Sequence, residues 1–275
     1  MNWAETQRSE WWWSLARQAV SALAVIYLVA PLIIVLIISF SSAPFLTFPP
    51  PGFSLQWYHN LFNNPAWSGS LITSVKILVP AALIATITGT AAAYGLVRSS
   101  FPGKTAVAAL LMAPLVVPVI VTAVGIFGFF RTLGLFGTLS GLIVAHAVLT
   151  VPYVVATVSG TLIMVDRRLE QAALTLGASP WKTFRRVTLP LILPAVLSGL
   201  VFAMVVSFDE LVVSLFISTP AVRPVTVEMW SNVRGAVDPT IAAVATVLFT
   251  VSLAALLGEV ITRRFRSRPE PSARR

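Results

Sequence analysis

The chain has 275 residues, of which 57% are hydrophobic and only 11% charged, under half the charge content of a soluble domain. A soluble fold of this size could not hide so much apolar surface, so the composition points to an all-α polytopic membrane protein. The formal net charge of +9 does not imply a nucleic-acid partner, because the basic residues fall in the gaps between apolar runs, and the absence of cysteine excludes disulfides, thiol catalysis and cysteine metal sites.

Residues 1–17 form a basic, aromatic N-terminal segment with Arg8, Trp11, Trp12, Trp13 and Arg17. Indoles in such a position settle at the headgroup level of a bilayer. The apolar run 18–40 is long enough to cross and longer than the core of a secretory signal, so it reads as an uncleaved anchor. Ser41-Ser42-Ala43 nonetheless offers small residues for cleavage. Residues 41–69 are rich in Pro, Ser, Asn and aromatics and contain no Lys or Arg. They read as an external loop with a short amphipathic segment around Trp57–Phe62. Further apolar runs follow at 70–97, 105–130, 140–164, 191–217 and 240–261, giving six spans. Pro102-Gly103 supplies a turn after the second, Pro114 and Pro118 interrupt the third, and Pro152 interrupts the fourth. A basic tail, 263–275, ends the chain, and Glu259 is spaced to pair with Arg263.

The one long polar and basic interruption lies at 165–190. Ala172, Ala173, Leu174 and Leu176 favour a helix that Gly177 can end in a left-handed conformation. Ser179 followed by Pro180 reads as an N-cap and first residue of a second short helix. Trp181, Phe184 and Val187 give that helix an apolar stripe flanked by Lys182, Arg185 and Arg186. Pro190 and Pro194 are expected to stop it. Such a helix–turn–helix is a docking element, or an interfacial loop whose arginines meet lipid phosphates. Placing both termini inside puts fifteen basic residues on the cytoplasmic side, five of them in this loop, against Arg131, Arg223 and Arg234 outside. That asymmetry makes the loop cytoplasmic.

With Ala172-Ala173, Gly177 and then Val187-x-Leu189-Pro190 before the last two spans, the loop resembles the "EAA loop" of ABC-importer inner-membrane permeases. Ser207-Phe208-Asp209-Glu210-Leu211-Val212-Val213-Ser214, Met229-Trp230-Ser231 and Gly235-Ala236-Val237-Asp238-Pro239 further resemble the spermidine/putrescine branch of that family. The resemblance covers nearly the whole chain. It implies a six-helix type I importer fold in a bacterial inner membrane. It also implies a second permease chain, two cytoplasmic ATPases that bind ATP and Mg, and an external solute-binding protein. Ala172, Ala173 and Gly177 carry over from the family's ATPase-coupling loop, and Glu170, Trp181, Phe184 and Pro190 complete the expected coupling residues, Trp181 and Phe184 as its apolar plug. The family's glutamate position falls on Gln171, one residue after Glu170. One residue is about 100° of helical rotation, so Glu170 need not face the same partner.

Asp209 and Glu210 lie about 27 Å along the fifth span, counted from Leu191. A carboxylate inside a membrane is costly and faces a cavity or a partner. It could offer negative charge to a cationic substrate, with Trp230 stacking on an ammonium or methylene chain. Ser207-x-x-Glu210 could equally be a capping box where the span breaks and restarts, and Arg223 or Lys76 could pair with either acid. His59 and His146 are too far apart to suggest a metal site, and no nucleotide-binding or nucleophile motif occurs, so no catalytic residue is assigned. The polyamine permease reading has two kinds of rival. One is an importer for another small organic solute or an iron complex. The other is a stand-alone secondary transporter or channel, which would need no docking loop and would more often show inverted repeats.

Overall fold

The computed structural model describes residues 3–235 and 237–266, with side chains described for 13–235 and 237–253. The paired arrangement expected of Glu259 and Arg263, and the arginines of the tail, lie outside the described side chains.

The described chain is helical, and its elements follow the apolar runs. Helix α1 (Trp3–Ser39) is followed by the short α2 (Gln56–Asn63), and α3 (Pro65–Arg98) covers the second run. The third run is not one helix. It splits into α4 (Lys104–Val116) and α5 (Val119–Thr132), which meet at 108°. Pro114 stays inside α4, and the break falls at Pro118. The proline ring there disfavours a helical conformation for Val117, which is extended at φ −73°, ψ 131°. Helix α6 (Leu139–Met164) covers the fourth run, and α7 (Arg167–Thr175) and α8 (Pro180–Thr183) form the polar loop.

The fifth run departs most from expectation. Pro190 and Pro194 do not stop the second loop helix. A π-helical turn, Phe184–Thr188, carries α8 without interruption into α9 (Leu189–Asp209). The wider turn, in which the Leu189 amide bonds back to the Phe184 carbonyl, makes room ahead of Pro190, whose ring and missing N–H would strain an α-helical turn. The run then breaks at Glu210 and resumes as α10 (Val212–Ile217). Helices α11 (Val225–Arg234) and α12 (Thr240–Arg266) end the described chain. Four helical stretches, Trp13–Ser39, Pro65–Arg98, Leu139–Met164 and Pro180–Asp209, are long and apolar enough to cross a membrane. The bent pair makes a fifth if counted as one span, and α12 occupies the sixth apolar run.

The chain divides into two compact units, residues 65–231 and residues 1–64 with 232–275. In the first, α3, α6 and α9 pack against one another around Val154, Val158, Leu162 and Ile192. Their close approach depends on two glycines facing Val154. A Cβ on Gly89 would lie 2.8 Å from Val154 Cβ, and one on Gly199 would lie 3.3 Å from Val154 Cα. A second cluster joins α5, α6 and α10 through Ala123, Phe130, Leu142, Val213 and Ile217. In the other unit, α12 packs with α1 and α2. Asn60 Nδ2 donates to Thr240 Oγ1 at 2.8 Å, and Asp238 Oδ1 caps α12 by accepting from the Thr240 amide at 2.7 Å.

Candidate coupling loop and substrate path

Both candidate regions lie on the first-described unit, at opposite ends of α9. At its start, the loop is built by local rules. Asp166 Oδ1 accepts from the Arg168 amide at 2.9 Å and caps α7. Helix α7 ends with Gly177 at φ +84°, and the amides of Gly177 and Ala178 bond back to the carbonyls of Leu174 and Ala173. This paired closure satisfies carbonyls that a helix end leaves free, and it needs the left-handed residue. Ser179 Oγ then accepts from the Lys182 amide at 3.3 Å, with Pro180 as first residue of α8.

Glu170 is the one residue of α7 that is buried. Its carboxylate receives Arg98 Nε, 3.0 Å from Oε2, and the Thr188 hydroxyl, 2.8 Å from Oε1. Arg98 also donates to the Val165 carbonyl at 3.0 Å, and Arg167 donates to the Val97 carbonyl. The end of α3, the start of α7 and the turn entering α9 are therefore tied through one carboxylate. Removing an ion pair from water is costly, and the added hydrogen bonds offset much of that cost. Glu170 thus points into the protein and does not present its charge at the loop surface, whereas Gln171, at the family's glutamate position, is exposed.

The aromatic stripe is graded. Phe184 is half-buried and meets the Tyr94 ring edge-on at 5.2 Å. Trp181 stacks on Phe184 at 5.7 Å and remains 69% exposed, and Leu176 is 88% exposed. Ala172, Pro190, Lys182, Arg185 and Arg186 are exposed, and Ala173 is half-buried. The loop therefore offers an apolar surface ringed by positive charge, on a base locked to α3 and α9.

At the other end of α9, the two adjacent acids do different things. Glu210 Oε1 accepts from the Val213 amide at 2.7 Å, capping α10, while Thr226 Oγ1 donates to the Glu210 carbonyl at 3.2 Å. The span does break and restart here, but Ser207 is not the other half of a capping box. Its hydroxyl lies 2.9 Å from His146 Nδ1. Neither acid pairs with Arg223, whose Nη1 lies 2.8 Å from Glu228. Lys76, on α3, is exposed. Asp209, the last residue of α9, is exposed, and its carboxylate holds no hydrogen bond or ion pair among the described residues. Trp230 is 36% exposed on α11.

A polar cavity of about 10 Å³, the size of one water, lies beside the break. Glu210, Ser207, His146, Ser74 and Thr226 line it, and Asp209 and Trp230 do not. Sequence reasoning gave His146 no role. Its partners Ser207 and Ser214 are 61 and 68 residues away, and Arg98 is 72 from Glu170, so no local signal could have found either contact.

Residues 85–268 match the family described as binding-protein-dependent transport system inner membrane component. Over 240 residues, the chain is 38% identical to the spermidine/putrescine transport system permease protein PotC of Haemophilus influenzae, covering 86% of this chain and 93% of that one. It is 35% identical over 256 residues to the putrescine transport system permease protein PotI of Escherichia coli, covering 90% and 89%. Among solved structures, a chain of a bacterial alginate ABC transporter in complex with an alginate pentasaccharide-bound periplasmic protein superposes with a TM-score of 0.71. It shares 14% identity, with 98% of this chain and 99% of that one covered, and so speaks to the fold alone. The apolar helices, the locked polar loop and the match over most of the chain lead to one conclusion: this protein belongs to the binding-protein-dependent transport system inner membrane components, the multi-pass permease subunits of ABC importers.

Proposed function

We propose that this chain forms the translocation path of an ATP-driven importer for a polyamine such as putrescine or spermidine, in a bacterial inner membrane. The similarity to PotC and PotI across most of both chains carries this reading. The exposed carboxylate of Asp209, without a partner among the described residues, supports it, because a linear polycation is met by an anion along its route. Both termini and the 165–190 loop are cytoplasmic in this reading, as the distribution of Lys and Arg requires.

The partners follow from the same reading. The chain pairs with a second, similar permease, and the two sit on two cytoplasmic ATPases that bind ATP and Mg. An external binding protein delivers the solute. Trp181, Phe184, Ala172, Ala173, Gly177 and Pro190 form the surface that meets the ATPase, with Glu170 as the internal anchor behind it. Asp209 faces the substrate, Trp230 supplies an aromatic surface near the path, and Glu210 holds the break.

The test is reconstitution of the chain in vesicles with a second permease, an ATPase and a binding protein. Labelled putrescine should accumulate only with ATP, and Asp209→Asn should lower uptake about tenfold or more. Uptake of an iron complex or an amino-acid derivative, with no response to either polyamine, would overturn the substrate assignment. Full-speed transport by the chain reconstituted alone would overturn the importer assembly.

A further inference from the structure

A helix interrupted inside an apolar bundle leaves backbone groups that water does not satisfy. In a continuous helix, the Ser207 carbonyl would bond the amide of residue 211, but the chain turns extended at Glu210 (φ −70°, ψ 108°). His146, on α6, takes over that carbonyl. Its Nδ1 lies 3.0 Å from the Ser207 carbonyl oxygen and 2.9 Å from Ser207 Oγ, and its Nε2 lies 3.0 Å from Ser214 Oγ. A carbonyl oxygen can only accept, so Nδ1 carries the proton. In the neutral ring, Nε2 then accepts from the Ser214 hydroxyl.

Ser207 sits in the last turn of α9 and Ser214 in the first turn of α10. A rigid ring with a donor on one side and an acceptor on the other therefore spans the break. His146 is 2% exposed, and Ser207 and Ser214 are 4% and 0% exposed. The linker is held from other directions as well. Glu210 caps the Val213 amide, Thr226 holds the Glu210 carbonyl, and Ser74 Oγ on α3 accepts from the Val225 amide at 2.8 Å. None of these bonds reaches Asp209, which is left exposed at the end of a pinned turn.

We infer that His146 is a positioning residue of the translocation path: by bridging Ser207 and Ser214 it fixes the last turn of α9 and so sets where Asp209 is presented. The inference rests on the reading of Asp209 as the substrate-facing carboxylate. A carboxylate already held in place loses little freedom when a cation arrives, which is the benefit of preorganisation.

Because the chain has no cysteine, a single Asp209→Cys change gives it one thiol, read on this chain after separation from its partners. The assembled importer in membranes is labelled with a small cationic thiosulfonate. The backgrounds are the parent ring, His146→Leu, Ser214→Ala and His146→Gln. His146→Leu should change the labelling rate about tenfold and Ser214→Ala by less. His146→Gln, whose amide offers a donor and an acceptor, should stay close to the parent. A control cysteine replacing the exposed Leu46 should label equally in all backgrounds. With Asp209 restored, His146→Leu should raise the putrescine KM several-fold more than it lowers the maximal rate.

Equal labelling at 209 in every background would overturn the inference. Should the control at 46 shift in His146→Leu, the milder Ser214→Ala decides, its unchanged rate overturning and its altered rate supporting. Labelling needs no substrate, so the two readings fail separately. Normal putrescine uptake by Asp209→Asn would remove the substrate role while leaving the labelling result intact.

Discussion

The two ends of α9 each carry acidic chemistry in an otherwise apolar bundle, and they use it in opposite ways. At the start, Glu170 is buried against Arg98 and Thr188 and joins three helical segments. At the far end, Glu210 is spent on capping α10, and its neighbour Asp209 is left with no protein partner among the described residues. The difference is whether a cation or amide of the same chain reaches the carboxylate. Where one does, the acid is structural and ties the start of α9 to α3 and α7. Where none does, the acid is available to a charge from outside. Helix α9 thus has an anchored base and, at its far end, an exposed carboxylate without a partner among the described residues.

The sharpest way to break this comparison is to strand one partner of the buried pair. Arg98→Met or Glu170→Leu alone should each cost about 3–5 kcal/mol by leaving an uncompensated charge. The double substitution should recover most of that loss, read as thermal unfolding of the purified importer. Single variants as stable as the parent would mean that the pair anchors nothing.

Next in size is the contact that lets α9 lie against α6 and α3. Gly89→Ala places its Cβ 2.8 Å from Val154 Cβ and should cost about 1–3 kcal/mol. Val154→Ala in the same chain should relieve part of it. An unaffected melting temperature in the single variant would show that the three helices are not closely apposed there.

At the loop surface, Gly177→Asp meets nothing within 4 Å, so its cost is the left-handed backbone alone, about 1–2 kcal/mol. The protein should stay in the membrane while transport per ATP hydrolysed falls. Coupled uptake at the parent ratio would count against the loop as the ATPase contact.

The smallest stability effects separate the adjacent acids. Glu210→Ala loses a helix cap, about 1 kcal/mol, whereas Asp209→Asn at an exposed position should change stability by under about 0.5 kcal/mol. Uptake should respond in the opposite order, with Asp209→Asn the more damaging. If the two variants rank the same way in both assays, the division of labour between the acids is wrong.

Local signals made much of the loop legible. Gly177 is the residue that can sit at φ +84°, and Ser179-Pro180 carries a cap and a first helical residue in two adjacent letters. Turns and caps are decided within four or five residues, so they survive in a linear reading. The prolines were legible only in kind. Pro114 stays inside α4, Pro118 marks a break, and Pro190 is absorbed by the π-helical turn Phe184–Thr188. Ser207-x-x-Glu210 reads as a cap at a break, and the break is there, but Ser207 bonds across to α6 instead.

By itself, the sequence determined the all-helical membrane class, the order of the apolar runs and the polar loop's place among them. Hydropathy and helical period act along the chain and need no knowledge of neighbours. Only the tertiary structure decided that Glu170 turns inward to Arg98, that His146 bridges Ser207 and Ser214, and that the Asp209 carboxylate meets no partner among the described residues. Those outcomes depend on which side chains the packing brings together, α3 with α7 and α6 with α9 and α10, from 60 or more residues apart, and an interior polar group takes its role from the partner it finds there.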